Sequence, residues 1–166
     1  MLPQVTKILY ATDLSENAKY AMTWAMSLAD KYDAAITTLH IMPDLVEEMS
    51  GQMGYDLAAH FGADRLESFN KEGVSAARES VINRIKNVSQ ETKDELPSCR
   101  LDLNDIIIKT GHPVREILST VNEGNYDLVV MGSHGHGFID TLLLGSVARG
   151  VVQKCPKPVF TIRLQG

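Results

Sequence analysis

Short apolar runs alternate with longer stretches of helical spacing along this chain. Lys7-Ile8-Leu9-Tyr10-Ala11-Thr12 predicts a buried first strand, and Asp13-Leu14-Ser15-Glu16 supplies the polar turn and early acid of a helix start. In the helix that follows, Ala18, Ala21, Met22, Ala25, Ala29 and Tyr32 recur at helical spacing and mark a core-facing stripe. Ala34 to Ile41 predicts a second strand, and Val74, Ala77, Val81, Ile85 and Val88 a second main helix that ends before Pro97. Leu103 to Lys109 predicts the third strand. Gly111-His112-Pro113 then turns into a helix with proline at its favoured first position and with Val114, Ile117, Leu118 and Val121 on its buried face. Tyr126 to Met131 predicts the fourth strand. Leu144, Val147, Ala148 and Val151 mark the last helix, Pro156 and Pro158 stop it, and Val159 to Arg163 closes as a fifth strand.

Strands alternating with helices predict an α/β fold, a doubly wound five-stranded parallel sheet with helices on both faces. Ligands in such sheets sit beyond the carboxyl ends of the strands, where the strand order reverses. Three polar turns fall at that edge: Thr12-Asp13, Thr110-Gly111-His112, and the segment from Gly132 to Gly137 that follows Met131. Residues 43–70 break the rhythm and read as an insertion, either a functional lid or a surface loop.

At 166 residues the chain is long enough for one domain, spanning 1–166, with a core of its own. A formal net charge of −5 argues against nucleic acid or an anionic membrane as a partner, so any phosphate must be held by local groups. Cys99 and Cys155 form no metal-ligand cluster, and MLPQVTKILYATD lacks the apolar centre of a signal peptide, so a reduced, cytoplasmic protein is expected.

The chemistry concentrates in GSHGHGFIDTLLLGS, residues 132–146. Gly132, Gly135 and Gly137 permit close backbone approach, so amide hydrogens can be turned toward an anion; Gly145 and Ser146 stand where a helix begins and its unpaired amides favour negative charge. A tight strand-to-helix turn would use the same glycines. GxxxxGK[ST] is absent because no lysine precedes Ser146, and G-x-G-x-x-G fails because Asp140 stands where the third glycine belongs.

Gly132, Gly135, Gly145 and Ser146 fit G-x2-G-x9-G-[ST], the signature of the ATP-binding branch of the universal stress proteins, and the chain resembles that family beyond the motif. The likeness runs through Lys7 to Ser15, Gly111-His112-Pro113, Tyr126 to Ser133 and Cys155-Pro156-Lys157-Pro158-Val159. It implies strand order 3-2-1-4-5, with Asp13 facing the glycine loop. It also implies that Asp13 and the backbone near Ile41 hold the nucleoside, that Gly132 approaches the ribose, and that Gly135, Gly145, Ser146 and Val147 surround the phosphates of ATP, carried with magnesium. A homodimer through the apolar C-terminal strand is implied as well.

Hydrolysis needs a placed water, a general base and charge stabilisation, and the sequence shows no dedicated set, so binding and stress signalling through nucleotide-dependent conformation or assembly are expected ahead of turnover. A slow ATPase or phosphoryl-transfer enzyme is the first alternative. The second is a protein-interaction module, with an unknown protein partner on the insertion and nucleotide binding incidental. His134 and His136 read as polar loop residues or phosphate donors; as zinc ligands they would lack a third partner unless His112 joined them.

Overall fold

A computed structural model of the chain describes residues 2–54, 56–96, 102–136 and 143–164. Its elements are β1 (Lys7–Thr12), α1 (Glu16–Tyr32), β2 (Ala35–Met42), α2 (Leu45–Met53), α3 (Leu57–Phe61), α4 (Ala63–Glu91), β3 (Ile106–Thr110), α5 (Pro113–Glu123), β4 (Leu128–Gly132), α6 (Ser146–Lys154) and β5 (Val159–Ile162). The five strands form one parallel sheet in the order β3-β2-β1-β4-β5, as expected.

The two-residue period of β1 sorts its side chains between two cores. Ile8 and Tyr10 enter one with Met22, Ala25, Val81 and Ile85 of α1 and α4. Leu9 and Ala11 enter the other with Ile117 and Val121 of α5 and Ala148 and Val151 of α6. Leu9, Val129 and Val130 are fully buried, each contributing about 1.5–3 kcal/mol of apolar transfer. The central strands are therefore a stiff platform, and the loops at their carboxyl ends inherit fixed positions. The opposite end is tied by Asp127, which accepts from the Thr6 and Lys7 N–H groups and the Thr6 hydroxyl; these bonds hold its carboxyl below the usual range.

Several boundaries differ from those expected. The third strand begins at Ile106 rather than Leu103, because the Asp102 carboxylate accepts from Asn104 N–H and folds that stretch into a turn. The fourth begins at Leu128, since Asp127 is engaged with Thr6. The described part of the insertion at 43–70 holds α2, α3 and the first turns of α4, a helix of 29 residues that begins well before Val74, where helical spacing first shows. The opening of α4 carries helix-favouring charged residues and an i,i+4 Glu67–Lys71 pair at 2.8 Å, but few apolar positions for a core; local propensity forms this part of the helix, and a search for a buried stripe passes over it.

Candidate functional site

The carboxyl end of β1 is shaped by its own side chains. Thr12 Oγ1 accepts from Leu14 N–H at 3.0 Å, and the Thr12 carbonyl accepts from His40 Nδ1–H at 2.8 Å, joining β1 to β2. Leu14 takes a left-handed φ of 64°, and Arg84 of α4 donates to the Leu14 and Ser15 carbonyls at 2.7 and 3.1 Å, which holds that turn. Ser15 caps α1 through a bond from Ala18 N–H, so Asp13 is not the cap. One Asp13 carboxylate oxygen accepts from Ser15 N–H at 3.0 Å, and the other lies against the glycine loop.

The loop leaving β4 is fastened on three sides. Gly145 N–H donates to the Ser133 carbonyl at 2.8 Å, bringing the two ends of the motif together. His136 Nε2–H donates to the Asp13 carbonyl at 2.9 Å, and Asn17 of α1 donates to the His134 carbonyl at 2.9 Å. His134 binds Ser133 Oγ through Nδ1 at 2.8 Å and the Leu143 carbonyl through Nε2, so both ring nitrogens have protein partners. Close approach explains the glycines here. A Cβ on Gly135 would stand 2.5 Å from Asp13 Oδ2, and one on Gly145 would stand 3.0 Å from the Ser133 carbonyl oxygen. Gly137 and Asp140 lie outside the described residues.

Between the β1–α1 turn, this loop and α6 lies a cavity of about 330 Å³, a volume within the usual small-molecule range. It gathers Thr12, Asp13, Ile41, Met131, Gly132, His134, Gly135, His136, Gly145, Ser146 and Val147, all expected at a site. Gly145 is the N-cap of α6 without a side-chain cap bond, and Ser146 is the first residue of that helix. First-turn amides and the hydroxyl of Ser146 consequently border the cavity at the positive end of a helix, the arrangement that favours an anion. Ala11, Leu39 and Met131 of the sheet and Ile117 of α5 supply an apolar wall.

Gly111 and His112 are the exceptions. They line an adjoining groove with Asp44, Glu47 and Arg115, and α5 reaches the first cavity through Pro113 and Ile117 instead. The reason is the turn itself: Gly111, at a φ of 141°, donates to the Met42 carbonyl and swings the chain toward α2 before α5 begins. His112 therefore stands apart from His134 and His136, and among the described residues no group of three or more His, Cys, Asp or Glu is placed to hold a metal ion.

Sequence reasoning missed Ser133 and Asn17. Ser133 is 4% exposed, lies within the motif and holds His134. Asn17 carried a signal: it precedes Ala21 by one helical turn, beside the apolar stripe, where an amide must find partners.

A parallel sheet of this order, with a glycine loop at its point of reversal and a helix start across from an aspartate, defines a doubly wound α/β domain with a candidate ligand site at its switch point. The Universal stress protein family matches residues 4–163, and the chain belongs to that family. It is 28% identical over 164 residues to universal stress protein MJ0577 of Methanocaldococcus jannaschii, an alignment covering 95% of this chain and 94% of that one. The solved structure of MJ0577 superposes with a TM-score of 0.69 over 98% of this chain and 99% of that one. Universal stress protein UspA from Lactobacillus plantarum shares the fold at a TM-score of 0.73 and 24% identity, over 98% of this chain and all, 100%, of that one. A universal stress protein solved in complex with cAMP also shares it, at 0.53 and 18% identity over 96% of this chain and 98% of its own. Among the described residues no helix is long and apolar enough to cross a membrane.

Proposed function

We propose that this chain is an ATP-binding universal stress protein of the cytoplasm whose nucleotide occupancy sets its conformation or assembly. The observation that carries the reading is the cavity itself. It brings Asp13, Gly132, Gly135, Gly145 and the uncapped start of α6 around one space of about 330 Å³, although the chain as a whole is acidic. Local amides and a helix dipole can hold phosphate where net charge opposes it. The Asp13 carboxylate suits ribose hydroxyls or an adenine amine, and the apolar wall from Leu39 to Met131 suits a base. That a protein of this fold has been solved with cAMP supports an adenine nucleotide as the ligand class.

Magnesium would enter with the phosphates, since this ion keeps several waters and needs only one or two protein carboxylates. The β5 edge, with Phe160 exposed at 42%, supports pairing with a second copy, because an unpaired apolar strand edge recruits another strand. The test is to release bound ligand from untagged protein, identify it by mass spectrometry, and repeat with Gly135→Val and Ser146→Ala. Near-stoichiometric ATP that disappears in Gly135→Val is the expected result. A protein free of nucleotide that also gives no heat with ATP and magnesium would overturn the reading.

A further inference from the structure

Asn17 stands in the first turn of α1, and its amide has partners at both ends. Nδ2–H donates to the His134 carbonyl at 2.9 Å, and Oδ1 accepts from Leu164 N–H at 2.7 Å. The orientation is fixed chemically: a carbonyl can only accept and a backbone N–H can only donate, so the amide cannot be reversed without losing both bonds. Gly132 preserves the space this amide needs, since a Cβ there would lie 2.8 Å from Asn17 Nδ2. One side chain therefore joins the middle of the glycine loop to the segment that leaves β5, two residues after Ile162.

We propose that Asn17 is a positioning residue that couples the occupancy of the glycine loop to the C-terminal end of the β5 edge strand. The inference rests on the nucleotide reading above. Phosphate that draws on the amides around Gly135 fixes the His134 carbonyl two bonded units from Gly132. Through Asn17 that constraint reaches Leu164, beside the strand edge at which a second copy would pair. A parallel route exists in the sheet, where Ser133 N–H donates to the Ile162 carbonyl at 2.7 Å, and the experiment must separate the two.

Backbone amide exchange of the full-length chain, read residue by residue with and without ATP and magnesium, does so. In the parent chain ATP slows exchange at Leu164 by about tenfold, a coupling of ordinary size. With ATP raised to saturate each variant, whatever its affinity, Asn17→Ala removes that dependence on occupancy while the ladder amides of β4 and β5 keep their protection. Asn17→Asp keeps the acceptor for Leu164 N–H but presents an oxygen to the His134 carbonyl, so the dependence on ATP is lost while basal protection at Leu164 remains. A simply structural tie would change basal exchange in Asn17→Ala and leave the ATP ratio untouched; that result overturns the proposal and assigns the coupling to the Ser133–Ile162 bond. ATP that binds the parent chain without any change at Leu164 overturns it too. A parent chain that fails to bind ATP overturns the nucleotide reading and this inference together, and the titration run alongside tells these cases apart.

Discussion

The glycine loop and the helical insertion both interrupt a strand-to-helix rhythm, yet they use glycine for opposite reasons. In the loop, Gly135 and Gly145 are required by space: a methyl group would meet Asp13 at 2.5 Å or the Ser133 carbonyl at 3.0 Å. In the insertion, Gly54 is required by backbone angle, with φ at 72° closing α2, while Gly51 inside α2 has nothing within 4 Å. The loop is held by long-range bonds to β1, α1 and its own far end. The insertion is built of helices and leaves Phe61 and Phe69 more than half exposed, at 52% and 57%. A ligand site needs the first kind of construction, because only long-range ties hold groups from different elements at fixed separation.

Substitutions at these glycines can break that contrast. Gly145→Val has the largest expected effect. Its neighbours, Ser133 O at 3.0 Å and His134 Cα at 3.4 Å, are backbone atoms that cannot swing aside, so overpacking of about 1–3 kcal/mol is expected. Thermal unfolding should show a fall of roughly 5 °C, and ATP titration a loss of binding. Gly135→Ala comes next. Only the end of the Asp13 side chain must move, so the melting temperature should stay within about 2 °C while ATP affinity drops by about tenfold, or about 1.4 kcal/mol. Equal losses of stability and affinity at Gly135 would mean that the loop's spacing serves the fold alone.

The insertion should respond in stability only. Gly54→Ala forces a side chain into left-handed backbone and should cost about 1–2 kcal/mol by denaturant unfolding, with ATP affinity unchanged. Gly51→Ala is the smallest change and has the opposite sign: alanine in open helical space should stabilise by about 0.5 kcal/mol. Reduced ATP affinity in either variant would make the insertion part of the site and erase the contrast.

The same contrast explains what was legible in the sequence. Leu9, Val129 and Val130 declare strands because burial on a parallel sheet demands apolar runs, and Gly132, Gly135, Gly145 and Ser146 declare the loop because close approach permits few residues. The order β3-β2-β1-β4-β5 came from family resemblance rather than from periodicity. The insertion was opaque as structure because its helices bury little and so write little apolar period into the chain. The turn of Gly111 and His112 sits at the expected sheet edge; which of two adjoining spaces it lines depends on the Gly111–Met42 bond, which no local pattern encodes. The place of Asn17 beside the apolar stripe was legible, but its partners, 117 and 147 residues away, were not.

The most direct test of the central claim is calorimetric titration of nucleotide-stripped protein with ATP and magnesium, set beside the melting curve of the same sample and repeated with Gly135→Val. Saturable binding of one ATP per chain, abolished in a Gly135→Val protein that remains folded, is the predicted result. A folded parent chain that releases no heat and shows no shift in melting with ATP would contradict the account and leave the loop as a structural turn.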